Sequence, residues 1–522
     1  MEVDFRRYDG LAVGAMAVTH PAMPRPAGAV TPMHHELLLI AAIIYLAAFL
    51  RVLSLGEKSF WLDEATSLAI ARLDWSSFLA IVTHREPGMS LYYAILHFWR
   101  RLGESEAAIR GLSVFPAVAT LPVVHLIGKR TAGVAVGLLA ALLLALNALD
   151  IRYAQEARGY SLLIFLTTLA TFLFIKGIER PSRGLWAGYA ATAALAIYTH
   201  FFAAFVIAAH LVSLAALRPR DIPVRALAAS LSGIAALVLP LVIAAWDAAR
   251  SVPALPAPSL PGLYYTLMAI TGAGGVWLLV AYALSCVAAF PPIRSTWASA
   301  RASVEAFRYG LVVAWLVTPI VLALGISFIT PILSARYLVV CLPPLSLLAA
   351  IGLASIRPRW ACIGATAVVA ALAIHGIVGY FVYFPKEDWR DATRFVMSQG
   401  RPGDALLFYP LYDREPFDYY HDRLGGAGPA VVFPEQPYVP AIARGIPIAA
   451  EPGETLLDRL PARYPRVWLI LGRDQLSSRE GYQASRAVHA RLLKRYPSTR
   501  QKTFYGILVV LYSKAGGTAL QQ

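Results

Sequence analysis

The stretch E-L-L-L-I-A-A-I-I-Y-L-A-A-F-L-R-V-L-S at 36–54 decides how the chain must be read. It is an apolar run of about the 20 residues a helix needs to cross a bilayer. Similar runs recur with short polar interruptions, near 107–128, 131–149, 159–178, 185–199, 200–217, 226–246, 275–293, 309–329, 337–356 and 360–384. The pattern predicts an α-helical polytopic membrane protein of about eleven transmembrane helices over 36–384. Composition agrees, since 58% of the 522 residues are hydrophobic, 15% are charged and the mean hydropathy is +0.59. A soluble domain of average composition does not look like this.

Working outward from the spans, alternate loops hold the Lys and Arg residues: Lys129/Arg130, Lys176/Arg180/Arg183, Arg218/Arg220/Arg225, Arg294/Arg301/Arg308 and Arg357/Arg359. Basic residues stay on the cytoplasmic side. With Arg6 and Arg7 they place the N-terminus inside and the C-terminal segment outside, in the cell (inner) membrane. Two short spans meet at Tyr198-Thr199-His200; one long span there would put three basic loops outside, so two are expected. Residues 1–35 hold several Pro and Ala and no apolar core, and read as a disordered extension ahead of a signal anchor. The net charge of +15 is spread through the inside loops, which argues against a nucleic-acid patch. Cys286, Cys341 and Cys362 lie in spans without a spacing motif, so neither a disulfide framework nor a thiolate metal site is expected. There is no internal repeat and no glycine-rich nucleotide loop. From Lys386 onward charge rises, and apolar runs at 404–409, 430–433, 467–471 and 506–512 alternate with helix-like stretches at 388–398 and 481–495. A small outer-face α/β domain over 385–522 follows.

The first outer loop, 55–106, carries S-F-W-L-D-E-A at 59–65, H-R-E-P at 84–87 and L-Y-Y at 91–93. Adjacent carboxylates at the mouth of a lipid-embedded bundle are costly unless used. Asp63 and Glu64 are therefore catalytic candidates; alternatively Asp63 caps a helix starting at Glu64 and Trp61 is an interfacial aromatic. In D-I-R-Y-A-Q-E-A-R-G-Y at 150–160, a helix from Tyr153 puts Glu156 and Tyr160 on one face and leaves Arg158 free to meet a lipid phosphate. A surface salt bridge with snorkelling arginines is the competing reading. His200 lies at an outer turn and Arg336, in S-A-R-Y-L, where the tenth span begins; each also fits a packing or anchoring role. Topology nevertheless brings Asp63, Glu156, Arg158, His200 and Arg336 to one membrane face. Two carboxylates, two arginines and a histidine suit acid/base chemistry on a phosphorylated lipid.

At these residues the chain resembles the GT-C glycosyltransferases, the superfamily of the protein O-mannosyltransferases and lipid A aminoarabinose transferases. The matching pieces are W-L-D-E-A at 61–65, L-Y-Y-A-I-L-H-F-W at 91–99, S-E-A-A-I-R at 105–110, Y-A-Q-E-A-R-G-Y-S-L at 153–162, Y-T-H-F-F at 198–202, S-A-R-Y-L at 334–338 and D-W-R-D-A at 388–392. The resemblance implies an inverting transfer from a polyprenyl-phosphate sugar to a lipid, glycan or protein acceptor on the outer face. It implies a catalytic Asp63 with Glu64 beside it, a second acid at Glu156, and donor-phosphate binding by Arg158, Arg336 and His200. Trp61, Tyr92, Tyr93 and Tyr160 would form the acceptor side or pocket wall. No cofactor is required, although some members use a divalent cation that a carboxylate pair could bind. Where many relatives have His-Pro-Pro or Asn-Pro-Pro, this chain has H-R-E-P-G-M-S, so no role passes to His84 or Glu86. The alternatives are a multispan transporter or flippase, which would place its charges near the midplane, and a non-catalytic assembly subunit.

Reporter fusions after Arg220 and after Gly517 should read on opposite sides of the membrane. The same side for both would undo the shared-face argument.

Overall fold

The computed structural model describes residues 32–217, 222–248, 257–300, 303–426, 428–446, 452–472 and 479–514. Residues 1–31 of the expected extension, together with Arg218, Arg220, Arg301 and Gly517, lie outside the described residues. In chain order, α1 (Pro32–Val52) leads to three short helices, α2 (Leu62–Arg72), α3 (Trp75–His84) and α4 (Ser90–Trp99). The bundle continues with α5 (Glu106–Ala132), α6 (Val134–Ala145), α7 (Ala148–Ala154), α8 (Tyr160–Glu179), α9 (Arg183–Thr199), α10 (Ala203–Leu217) and α11 (Val224–Ala248). It closes with α12 (Leu260–Ile270), α13 (Gly275–Ala288), α14 (Phe290–Ala300), α15 (Val304–Ser327), α16 (Leu342–Ser355) and α17 (Arg359–Tyr383). Among the described residues eight helices are long and apolar enough to span a membrane, and a ninth span forms if the bent pair α6 and α7 counts as one. With the shorter α9 and α10, helices stand at all the expected positions, and α12 is an additional apolar helix that the sequence reading did not include.

The 62° bend between α6 and α7 has a local cause. Asn147 accepts from the N–H groups of Leu149 and Asp150 at 3.0 and 3.1 Å, so it caps a new helix in a new direction. The break leaves carbonyls of α6 without helical partners. Arg51, fully buried on α1, donates to the Leu144 and Ala145 carbonyls at 3.3 and 3.2 Å and pairs with the buried Asp150. The buried cation thus ties the end of α6 to the buried anion, while Arg51 Nε and Asp150 Oδ1 have no hydrogen-bond partner among the described residues. Gln155 extends the tie, donating to the Arg51 and Leu53 carbonyls at 3.1 and 2.7 Å.

After α17 the chain forms a five-stranded sheet of order β2-β1-β3-β5-β4. Its elements are α18 (Trp389–Gln399), β1 (Ala405–Tyr409), α19 (Arg414–Leu424), β2 (Ala430–Phe433), α20 (Tyr438–Ala443), α21 (Glu454–Arg463), β3 (Arg466–Leu471), α22 (Arg479–Leu493), β4 (Ser498–Phe504) and β5 (Ile507–Ser513). Strands β2, β1 and β3 run parallel, while β5 is antiparallel to both β3 and β4. Four of these strands coincide with the apolar runs. The fifth, S-T-R-Q-K-T-F, is mostly exposed, and its Arg500 and Lys502 are the charges that an edge strand carries. The domain sits on the 55–106 loop: Tyr420 Oη accepts from the Phe60 N–H at 2.7 Å, and Arg390 reaches Glu106 at 2.6 Å.

The deepest link in that contact is Glu64. Arg110, on the first turns of α5, holds both its oxygens at 2.7 and 2.8 Å. The remaining Arg110 N–H groups go to the carbonyls of Leu55, Lys58 and Ser59, at 2.8, 2.8 and 3.0 Å. All five guanidinium donors are thus used. Lys386, at the start of the C-terminal domain, adds a contact of 3.0 Å to Glu64, and the Ala157 N–H a further one at 3.0 Å. Burial alone would raise the Glu64 carboxyl, but Arg110 and Lys386 outweigh it and bring it down to about 2.

Removing one partner of a buried pair typically costs about 3–5 kcal/mol. Arg110→Met should therefore lower the melting temperature of the detergent-solubilised protein markedly; an unchanged melt would deny the cluster its structural role. Because Glu64 titrates below its ordinary 4.5, the stability it contributes is complete above that pH and is lost as pH falls toward 2. Wild type should lose stability over that acid range, and Arg110→Met should lose less.

Candidate active site

Helix α2 begins at Leu62, one residue before Asp63, with Trp61 as the N-cap residue. Asp63 therefore stands inside the first turn and makes no capping hydrogen bond, which removes the capping reading of this residue. Neighbours one position apart on a helix point in different directions. With Glu64 clamped on the buried side, Asp63 projects into a pocket of about 270 Å³ lined also by Trp61, Leu149, Arg152, Tyr153, Glu156, Tyr160, Ala269 and Ser334–Arg336. Five of the residues picked from the sequence share this one wall: Trp61, Asp63, Glu156, Tyr160 and Arg336.

The other expected residues lie behind it. Glu64 does not face the pocket; it is fully buried in the cluster with Arg110 and Lys386. Arg158 backs Asp63, with Nε 3.9 Å from Oδ2, and donates to Tyr93 Oη at 3.2 Å and Ser67 Oγ at 3.4 Å. Tyr92 and Tyr93 are buried supports of Arg158 rather than pocket wall. Tyr92 Oη is 3.1 Å from Ser113 Oγ, which donates to the Arg158 carbonyl at 3.2 Å. His200 packs on the rings of Tyr160 and Tyr337, centroids 6.1 and 5.1 Å away, and stands one layer out. Glu86, exposed ahead of the turn Pro87–Met89, is close enough to feel the charges of Arg158 and Asp63.

The helix expected from Tyr153 through Tyr160 is absent. Helix α7 stops at Ala154 and α8 begins at Tyr160, so Glu156 and Tyr160 reach the same pocket from an irregular turn instead of a shared helical face. Sequence reasoning also passed over Arg152. Its Nε donates to Glu156 Oε1 at 3.1 Å, its guanidinium stacks 4.2 Å over Phe384, and it lines the pocket. The signal was present, since Arg152 and Glu156 are four apart in D-I-R-Y-A-Q-E. Lys386 and Arg110, the holders of Glu64, were given no role from the sequence: Arg110 closes the motif S-E-A-A-I-R and Lys386 opens the charged C-terminal segment.

Two polar atoms in the pocket wall have no hydrogen-bond partner among the described residues, Trp61 Nε1 and Glu156 Oε2. Arg336 carries its guanidinium 5.2 Å from the Tyr337 ring. The pocket thus offers a carboxylate with partial solvent access, Asp63, opposite guanidiniums able to meet an anion. Among the described residues no group of three or more His, Cys, Asp and Glu side chains gathers as metal ligands. Asp63 and Glu156 each have a guanidinium nearby, Arg158 at 3.9 Å and Arg152 at 3.1 Å.

This fold is shared with solved membrane proteins. The chain is similar in fold to ArnT from Cupriavidus metallidurans bound to undecaprenyl phosphate, with a TM-score of 0.60 at 14% identity, covering 93% of this chain and 99% of that one. It is also similar to the oligosaccharyltransferase AglB from Archaeoglobus fulgidus in complex with an inhibitory peptide and a dolichol-phosphate, with a TM-score of 0.51 at 10% identity over 93% of this chain and 74% of that one. No family model matches the sequence, and no curated protein matches it. The common ground is the fold.

Proposed function

We propose that the protein is an inverting glycosyltransferase that moves a sugar from a polyprenyl monophosphate to a hydroxyl of a lipid, glycan or protein acceptor on the extracytoplasmic face of the cell membrane. The observation that carries this reading is the pocket in which Asp63 and Arg336 share a wall, with Arg158 directly behind Asp63. Both solved relatives were captured with a polyprenyl-type phosphate, which supports a lipid-phosphate donor here.

In this scheme Asp63 takes the proton from the acceptor hydroxyl while that oxygen forms a bond to the anomeric carbon. The bond from that carbon to the phosphate oxygen breaks on the opposite side, and the polyprenyl phosphate leaves with the electron pair. One displacement inverts the anomeric centre. A phosphate leaving group needs positive charge more than a proton, and Arg336 and Arg152 supply it as charge-assisted donors, with Arg158 adding its charge from behind Asp63. Glu156, one oxygen held by Arg152, serves as a hydrogen-bond acceptor in the pocket, and Glu64 acts by aiming Asp63. No step is routed through a metal ion.

Asp63→Asn keeps the shape of the side chain and removes its basicity. Purified Asp63→Asn protein should bind undecaprenyl phosphate like wild type while turnover of a polyprenyl-phosphate sugar falls by about a hundredfold or more. Arg336→Ala should do the reverse first, weakening carrier binding, with Lys restoring it only partly because an ammonium lacks the bidentate fork. Near-normal turnover by Asp63→Asn would remove Asp63 as the base.

A further inference from the structure

We propose that a second cavity, between loop 55–106 and the C-terminal domain, is a binding site for an alkylammonium group. The cavity measures about 320 Å³. One wall is the face of α2 formed by Ala65, Leu68, Ala69 and Arg72. Asp63, two positions before Ala65, points to the other side of that helix, so this cavity is separate from the pocket already described.

The facing wall is α19, which turns Glu415, Asp418, Tyr419 and Asp422 toward the cavity at helical spacing. Like charges three and four residues apart on a helix repel one another. With Asp74 the lining holds four carboxylates against two guanidiniums, Arg72 and Arg444. Arg72 is engaged with Glu104 at 2.7 Å, and Arg444 stands exposed past the end of α20. Three of the carboxylates have partners of their own. Asp418 has Arg414 at 2.9 Å, Asp422 has His421 and Arg72 at 3.8 and 4.0 Å, and Asp74 caps α3.

Glu415 is different. It is only 6% exposed and has no ion-pair partner among the described residues. Its Oε1 accepts from the Val439 N–H at 2.8 Å, while Oε2 makes no hydrogen bond among the described residues and opens onto the cavity. Capping α20 uses one oxygen and does not require the other to face a cavity. The groups around it are Asp418 and Arg414 on α19, Tyr438 and the Val439 N–H on α20, and Arg72 and Asp74 across the cavity. Burial, with Asp418 adding its charge, pushes the Glu415 carboxyl up to about 7 against the Val439 N–H and Arg414. An ammonium brings the missing cation and three N–H donors, enough for Glu415 Oε2 and its acidic neighbours on the same face. Leu68, Leu73, Pro437 and Pro440 offer apolar surface to the methylenes that carry it. Among the described residues no His, Cys, Asp and Glu side chains gather as metal ligands, which favours an organic cation over a bare metal ion.

The test measures binding of cadaverine and of an end-blocked lysyl tripeptide to the purified full-length protein in nanodiscs at constant ionic strength, beside their N-acetylated forms and magnesium chloride. At about pH 8 at least one amine should bind about tenfold or more tighter than its acetylated form, the worth of one charge-assisted hydrogen bond. Its affinity should fall about tenfold on going to about pH 6, because Glu415 takes up a proton over that range while an alkylammonium stays charged up to about pH 10. Glu415→Gln keeps an oxygen for the Val439 N–H and removes the charge. It should leave the melting temperature unchanged and erase both the preference for the amine and its pH dependence, a pair of losses that a capping role does not produce. Asp422→Asn, at the rim, should weaken amine binding in the same direction with the fold intact. Tighter cadaverine identifies a free polyamine as the ligand, tighter tripeptide a lysine side chain of a polypeptide, and either upholds the site. Equal binding of the acetylated probes, saturable binding of magnesium in place of the amines, or an amine preference that survives Glu415→Gln overturns it.

Discussion

Everything at the pocket depends on one buried ion pair. Loop 55–106 has no bilayer-spanning helix to hold it, yet it must present Asp63 at a fixed angle, and Glu64 clamped by Arg110 provides that anchor. A guanidinium with all of its donors engaged fixes the loop backbone at Leu55, Lys58 and Ser59 as well as the carboxylate. The same carboxylate receives Lys386 from the C-terminal domain and the N–H of Ala157 from the second pocket turn. Four segments far apart in the chain are joined at one side chain. Two neighbouring acids consequently do opposite work: one is consumed in holding the structure, and the next is left facing the pocket.

A second constraint lies deeper, where the third apolar run breaks. Had α6 continued straight, Arg152 and Glu156 would follow the bundle axis instead of turning into the pocket wall. Asn147 redirects the chain, and Arg51 with Asp150 makes the break tolerable by occupying the carbonyls that it exposes. Burying those charges in the bundle is expensive in isolation, and their pairing with each other offsets part of that cost. The irregular turn that follows then carries Glu156, Ala157 and Arg158 to three different partners: Arg152, Glu64 and Asp63. Broken backbone at this depth is accommodated because it is enclosed by protein and lines a cavity.

The likeness to ArnT and AglB extends over most of the chain at very low identity. Such a relation preserves positions of helices while replacing nearly every side chain, so the chemistry is set by this chain's own pocket. There the resemblance of short motifs and the geometry meet at Trp61, Asp63, Glu156, Tyr160 and Arg336.

Much was legible in one dimension. The apolar runs, the alternation of Lys and Arg, and the change of composition at Lys386 are local properties, and each corresponds to a helix, a loop or the small sheet domain. The same local pattern brought Asp63, Glu156, Arg158 and Arg336 to one face of the bundle. It could not separate Asp63 from Glu64, because their difference comes from Arg110 and Lys386, which are 46 and 322 residues from Glu64. Nor could it find β4, whose polar residues become a strand only by pairing with β5, or rank Tyr92 and Tyr93 behind Arg158 instead of in the wall. Span length and loop charge are set by the solvent that each segment meets, and the sequence alone determines them. Which charge is spent on another charge, and which stays free to act, is set by distances across the bundle, and only the tertiary structure decides that.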